Sequence, residues 1–126
     1  MSPIELRCRR EALGLSQQQL AEILPVKQAT ISQWENGKRS IPPGVDDALQ
    51  RLEDVVDALV ENALHGVDSA SEFSDAPPVL FTWADEVSWW DAHPEATGLP
   101  VQLHHVAMAR ALDSSQGISI ELMPDA

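Results

Sequence analysis

Apolar positions in the first third of the chain recur at helical spacing and predict two short helices joined by a tight turn. Leu20, Ala21 and Leu24 give the first of these helices one apolar face, and Pro25 ends it. The second is predicted over residues 28–35, where apolar side chains three residues apart face inward and the rest are polar. A small residue early in the first helix lets the second cross it closely. The pattern therefore predicts a helix-turn-helix.

Two capping boxes mark helix starts in the same region. Ser16 with Gln19 can begin the first helix of the pair. Ser2 with Glu5, and Pro3 between them, can begin a preceding helix that runs to about residue 13. The N-terminal part is therefore expected to be a bundle in which at least three helices pack together.

A longer apolar stripe predicts a fourth helix over about residues 45–65, ended by Gly66. Such a helix is about 30 Å long. Its first half can cover the bundle, whereas its second half must bury its stripe elsewhere, so the helix is expected to serve both the core of the chain and a contact with another subunit. The composition of residues 66–78 then predicts a polar linker.

The last part of the chain combines two strand patterns with two helix patterns. Strands are predicted at residues 79–81 and 117–122, and helices at 83–92 and 101–112. The strands are expected to pair in a small α+β unit, which needs its helices and a second subunit to close its core, because a two-stranded ribbon alone is marginal. The predicted domains are residues 1–65 and residues 79–126, joined by the linker at residues 66–78.

The outer face of the 28–35 helix carries amides and hydroxyls rather than charges. A glutamine amide can donate to and accept from the edge of an adenine in the major groove, while cations suit phosphates. Lys38 and Arg39 follow the helix at once. A reading helix with phosphate contacts at its edges is therefore predicted.

The segment LSQQQLAEILPVKQATISQWENGKRSIP resembles the Cro/C1-type, or XRE, helix-turn-helix of phage repressors over about residues 4–64. The resemblance implies a lambda-repressor-like bundle and a pair between Arg10 and Glu35 that ties the first helix to the reading helix. Two positions depart from the family pattern. Pro25 stands where glycine is usual, and Lys27 stands where a capping Ser, Thr or Asn is usual. By the same resemblance, base contacts are expected from Lys27, Gln28, Ala29, Ser32 and Gln33, and phosphate contacts from Arg10, Ser16, Gln17, Asn36, Lys38 and Arg39.

The order of elements over residues 79–112 resembles a family of small two-domain regulators that includes the anti-CRISPR-associated repressors. That resemblance implies a C-terminal dimerisation domain, repression of the protein's own operon and an inverted-repeat operator. Three tryptophans are more apolar surface than so small a unit readily buries, so a homodimer interface is expected at Trp83, Trp89 and Trp90. A purely intramolecular core is the alternative, above all for Trp89.

Charge divides the chain, whose formal net charge is -12. Residues 1–44 hold six basic and four acidic side chains, and residues 45–126 hold two basic and sixteen acidic ones. The acidic part cannot lie along phosphates without repulsion, so it must point away from DNA, bind something else, or only keep the protein in solution.

A cytoplasmic protein is expected. No stretch is apolar for long enough to cross a membrane, and the first residues lack the apolar core of a signal peptide. The single cysteine, Cys8, fits that compartment and is expected to be a small packing residue.

No cofactor, metal site or enzymatic activity is expected, since His104 and His105 diverge on a helix and no phosphate loop or nucleophile motif occurs. The predicted fold is mainly α, α+β overall, with the N-terminal bundle and a small C-terminal α+β dimerisation domain. The predicted function is a dimeric, sequence-specific DNA-binding repressor with a double-stranded operator as partner. An antitoxin whose acidic C-terminal region binds a toxin is the alternative, and a pure protein-interaction module is a third hypothesis.

Overall fold

A computed structural model describes residues 1–124. It confirms a mainly helical fold with an N-terminal helix-turn-helix region and a small α+β part after it. The elements are α1 (Pro3–Ala12), α2 (Gln17–Ile23), α3 (Gln28–Glu35), α4 (Pro43–Phe73), β1 (Val79–Thr82), α5 (Glu86–Ala92), a 3₁₀ helix (Pro94–Ala96), α6 (Gln102–Ser114) and β2 (Ser119–Leu122).

The contacts of the chain divide it into two compact units, residues 1–55 and residues 56 onward. In the first unit, α1, α2, α3 and the start of α4 enclose one core. Both predicted capping boxes are present, since Ser2 and Ser16 each accept from the backbone N–H three residues on, and both reciprocal bonds form. Ala21 is 1% exposed and Ile31 is fully buried, as the close crossing of α2 and α3 requires. The other buried apolar residues of this unit are Leu6, Leu13, Leu15, Leu20, Trp34, Val45, Leu49 and Leu52.

The prediction that Gly66 ends the fourth helix is wrong, because α4 continues to Phe73. Glycine inside a helix costs only about 1 kcal/mol relative to alanine, which the hydrogen bonds of the continuing helix can outweigh. The predicted linker therefore begins after Phe73 rather than at residue 66. The two-unit division falls inside α4, whose residue Val56 is fully buried.

In the second unit, β1 and β2 pair in parallel, with Leu80 opposite Ile120 and Thr82 opposite Leu122. Parallel neighbours need a crossover, which here consists of α5, the 3₁₀ helix and α6. The inner face of β1 is buried through Leu80 and Thr82, and α6 packs beside both strands. The strands thus pair as predicted, and their direction follows from the helices between them.

A tryptophan core forms the other half of this unit. Trp89, Ala96 and Val101 are buried together, and the partly buried side chains packed on them are Leu59, Trp83, Trp90 and Leu99. The predicted helix at residues 83–92 begins three residues late, because Asp85 caps it by accepting from the N–H of Ser88. Trp83, at which the helix was predicted to begin, consequently precedes α5.

Two further observations concern the surface. Cys8 is exposed on α1, so the expectation that it is a packing residue is wrong. Among the described residues, no helix is both long and apolar enough to span a membrane.

Candidate nucleic-acid interface

The outer face of α3 presents the side chains predicted to read bases. Lys27, Gln28 and Ala29 are exposed at its N-terminal end, and Ser32 and Gln33 are half-buried one turn later. The inward residues Ile31 and Trp34 anchor the opposite face in the core. The helix thus has one face packed in the core and carries a polar strip on its opposite, outer face.

A glutamine pair joins the start of α2 to the start of α3. The Gln28 amide nitrogen donates to Oε1 of Gln17 over 2.6 Å, and the Gln17 amide nitrogen donates to Oε1 of Glu35 over 3.2 Å. A glutamine amide has two N–H groups and a carbonyl oxygen. Gln28 therefore keeps one donor and one acceptor, which is the pair that a bidentate contact to adenine uses. The sequence did not predict this contact, because the two residues lie on different helices.

The predicted pair between Arg10 and Glu35 is present. Nε and one terminal nitrogen of Arg10 donate to the two oxygens of Glu35 over 2.8 and 2.9 Å, and the other terminal nitrogen donates to the carbonyl of Leu15 over 2.9 Å. Burial alone would raise the pKa of Glu35, but the hydrogen bonds from Arg10 and Gln17 and the arginine charge outweigh it and hold the pKa below its ordinary 4.5. The hydrogen bonds to Glu35 raise the pKa of Arg10.

This geometry bears on the phosphate contact predicted for Arg10. The residue is 8% exposed, and each of its three guanidinium nitrogens already donates within the chain. Three of its five N–H groups therefore brace α1 against α3, and a contact of Arg10 with a phosphate stays a prediction.

The remaining predicted phosphate contacts lie on the surface around α3. Ser16 is exposed although its hydroxyl caps α2, and Gln17 is half-buried. Asn36, Lys38 and Arg39 are exposed after the C-terminal end of α3. Gly37 there has a φ of 75°, a left-handed conformation that glycine adopts without strain. The backbone N–H groups of Lys38 and Arg39 then donate to the carbonyl of Gln33, which fixes the turn.

Ion pairing separates the basic residues into two groups. Arg7, Arg9, Arg10 and Arg110 pair with carboxylates. Among residues 1–124, no carboxylate pairs with Lys27, Lys38 or Arg39, which surround α3, or with Arg51. Lys38 and Arg39, which are predicted to contact phosphates, and Lys27, which is predicted to contact a base edge, are thus paired with no carboxylate among these residues.

A second arginine braces the bundle without having been predicted. Arg9 bonds to Glu53 and Asp46 of α4, and these hydrogen bonds raise the pKa of Arg9. An apolar pattern contains no signal for this contact, because both partners look like solvated helix residues.

The two departures from the family pattern have visible consequences. Lys27 occupies the N-cap of α3 and makes no side-chain capping bond. Pro25 has a φ of 21°, outside the range of about −65 ± 15° that the pyrrolidine ring favours. The turn thus keeps a backbone conformation suited to glycine, and the φ angle of Pro25 is strained.

The tryptophans expected at a dimer interface lie in the second unit. Trp89 is 1% exposed, which leaves it no surface to contribute to a contact between subunits. Trp83 and Trp90 are half-buried, and the indole N–H of Trp90 donates to the carbonyl of Leu99 over 2.9 Å. A contact of Trp83 or Trp90 with another subunit stays a prediction.

A buried histidine joins these tryptophans. Nδ1 of His104 lies 2.7 Å from Oγ1 of Thr82, and its ring meets Trp83 and Trp89 edge to face at 5.1 and 5.5 Å. Burial, with the nearby His105 and His93, lowers the pKa of His104 to about 4. Within residues 1–124, no group of three or more potential ligand side chains is arranged to hold a metal ion.

Residues 6–45 match the family model described as helix-turn-helix, of the Cro/C1 or XRE type. The resemblance predicted for this stretch is confirmed, and the match supports a DNA-binding transcriptional regulator. No curated protein matches the chain.

Proposed function

We propose that this chain, whose residues 6–45 form a Cro/C1-type helix-turn-helix, is a sequence-specific DNA-binding repressor that acts as a dimer in the cytoplasm. The observation that carries the proposal is the α3 surface. The outer face of α3 carries the amides of Gln28 and Gln33, with Gln28 held by Gln17. The cations around that face, Lys27, Lys38 and Arg39, pair with no carboxylate of residues 1–124. Amides suit base edges and unpaired cations suit phosphates, so the strip matches the chemistry of the major groove.

Each side chain has its part in the proposed complex. Base contacts come from Lys27, Gln28, Ala29, Ser32 and Gln33, and phosphate contacts from Ser16, Gln17, Asn36, Lys38 and Arg39. Arg10 holds Glu35 and hence α3 in place, and its two remaining N–H groups are those that a phosphate contact would use.

A dimer is proposed because one subunit has few basic side chains with which to contact phosphates. Residues 1–44 carry a net charge of only +2, and each phosphate neutralised contributes to affinity through released counterions. Paired half-sites of an inverted repeat, about 34 Å apart, would double the contacts. Repression of the protein's own operon is part of the same proposal.

The base-reading role is tested by substituting Gln28 or Gln33 with alanine. Each change should cost about 1–3 kcal/mol of affinity for the operator and relax the preference at particular bases. Lys38→Ala is the matched control, because loss of a phosphate contact weakens binding to all sequences alike. Equal loss of affinity for operator and random DNA in Gln33→Ala would contradict the role of Gln33.

The acidity of the second unit favours a second candidate function, the antitoxin of a toxin–antitoxin pair. Residues 56–124 hold eleven acidic side chains and one basic one, Arg110, which itself pairs with Asp57. Such a surface complements a basic protein. Co-expression with the product of each neighbouring gene tests this, and rescue of growth from a basic toxin is the expected result.

A further inference from the structure

We propose that the free edge of β1 is the dimer contact, pairing in antiparallel fashion with β1 of a second copy. The inference rests on the proposed dimeric function and names the surface that would form it. A two-stranded parallel sheet is unusual on its own, since parallel sheets are normally covered on both faces. Here only one face is buried. Val79 is 38% exposed and Phe81 is 36% exposed on the other.

The backbone of β1 shows which groups the free edge offers. The carbonyls of Pro78 and Thr82 accept from the N–H groups of Ser119 and Met123 in and beside β2. Backbone groups alternate in direction along a strand, so those of Val79 and Phe81 point away from β2. Among the described residues, β2 is the only strand paired with β1.

These groups are self-complementary about a two-fold axis through Leu80. In an antiparallel pair centred there, Val79 lies opposite Phe81 of the second copy, and Phe81 lies opposite its Val79. Each pair can exchange two N–H···O=C bonds, four in all. The exposed side chains then form two pairs of an aromatic with a β-branched residue, a favourable cross-strand combination.

The distribution of charge favours the free edge of β1, rather than that of β2, as the dimer contact. The same pairing on β2, centred on Glu121, would place that carboxylate directly opposite its copy, which is destabilising. The four residues of β1 carry no charge. In a unit with eleven acidic side chains and one basic one, an uncharged edge is where two identical copies can meet without repulsion. A basic partner would instead find its complement on the carboxylates.

The test uses the full chain and measures mass by sedimentation equilibrium. Val79→Glu and Phe81→Lys should each weaken the dimer roughly tenfold or more, because each disturbs both cross-strand pairs. An equimolar mixture of the two variants should recover a heterodimer, in which the introduced carboxylate faces the introduced ammonium group across the axis and the other pair stays native. Leu122→Lys is the matched control, because Leu122 is 59% exposed on β2 and its substitution should leave the dimer intact. Circular dichroism and tryptophan fluorescence verify that each variant is folded.

Formation of the heterodimer in the mixture, when neither variant dimerises well by itself, supports the proposed register. If the wild type is a dimer and Val79→Glu and Phe81→Lys dimerise as tightly as it does, the β1 contact is wrong. The same holds if Leu122→Lys dissociates the dimer. Either result would leave the proposed dimeric regulator in place. Failure of two weakened variants to recover in the mixture would overturn the register centred on Leu80. A chain that is monomeric at every concentration tested, and also on operator DNA, would overturn both the contact and the proposed dimer.

Discussion

Removal of Arg10 tests the bracing of the reading helix. The side chain of Glu35 is only 3% exposed, so in Arg10→Leu its carboxylate stays buried. Of the side chains that donate to Glu35 in residues 1–124, Gln17 is then the one that remains. Breaking a buried ion pair from one side typically costs about 3–5 kcal/mol, because the remaining charge is left uncompensated. We expect a loss of that size in the free energy of unfolding at pH 7.

The double variant Arg10→Leu/Glu35→Leu separates this cause from lost packing. Replacing both partners of a buried pair with apolar side chains is often close to neutral. The double variant should therefore recover the part of the loss that comes from the unpaired charge, leaving about 1 kcal/mol for each of the two lost hydrogen bonds, Arg10 to Leu15 and Gln17 to Glu35.

Urea unfolding followed by tryptophan fluorescence measures both variants. Without Arg10, burial should raise the pKa of Glu35 above its ordinary 4.5. The loss of stability in Arg10→Leu should therefore shrink as the pH falls, because Glu35 becomes protonated and is then buried without a charge. Equal destabilisation of the single and double variants, without dependence on pH, would refute the reasoning.

Three further predictions concern other parts of the chain. The pKa of His104 lies near 4 in the fold, below its ordinary 6.5, so as the pH falls the unfolded chain takes up this proton before the folded chain does. The free energy of unfolding should therefore fall by up to about 3 kcal/mol between pH 6.5 and 4. In His104→Gln, the free energy of unfolding should change much less over that pH range. Pro25→Gly should raise the melting temperature, because relief of about 1–3 kcal/mol of backbone strain exceeds the gain in unfolded-state entropy; an unchanged or lower value would show that the turn is not strained. Lys38→Ala should reduce the slope of log affinity against log salt by about 2 for a dimer, since one phosphate contact is lost in each subunit, and an unchanged slope would remove Lys38 from the phosphate contacts.

Local signals explain why the helix-turn-helix was predictable from the sequence. The capping boxes at Ser2 and Ser16 and the three-residue spacing of Ile31 and Trp34 each depend on neighbours within one turn. The match over residues 6–45 agrees with that prediction.

The rest depends on contacts that local patterns do not contain. The end of α4 was predicted too early, because a glycine weakens a helix without specifying its end. The contact between Gln17 and Gln28 requires the crossing of α2 and α3. The burial of Trp89 likewise depends on how α5 and the loops before α6 pack.

Footprinting on the DNA upstream of the protein's own gene tests the central claim most directly. With hydroxyl-radical cleavage, we expect two protected patches on one face of the duplex, related by an inverted repeat and about one helical turn apart. Gln28→Ala should lose that protection at concentrations at which the wild type shows it. The absence of a discrete footprint, with equal affinity for this DNA and for random DNA, would contradict sequence-specific regulation by this chain.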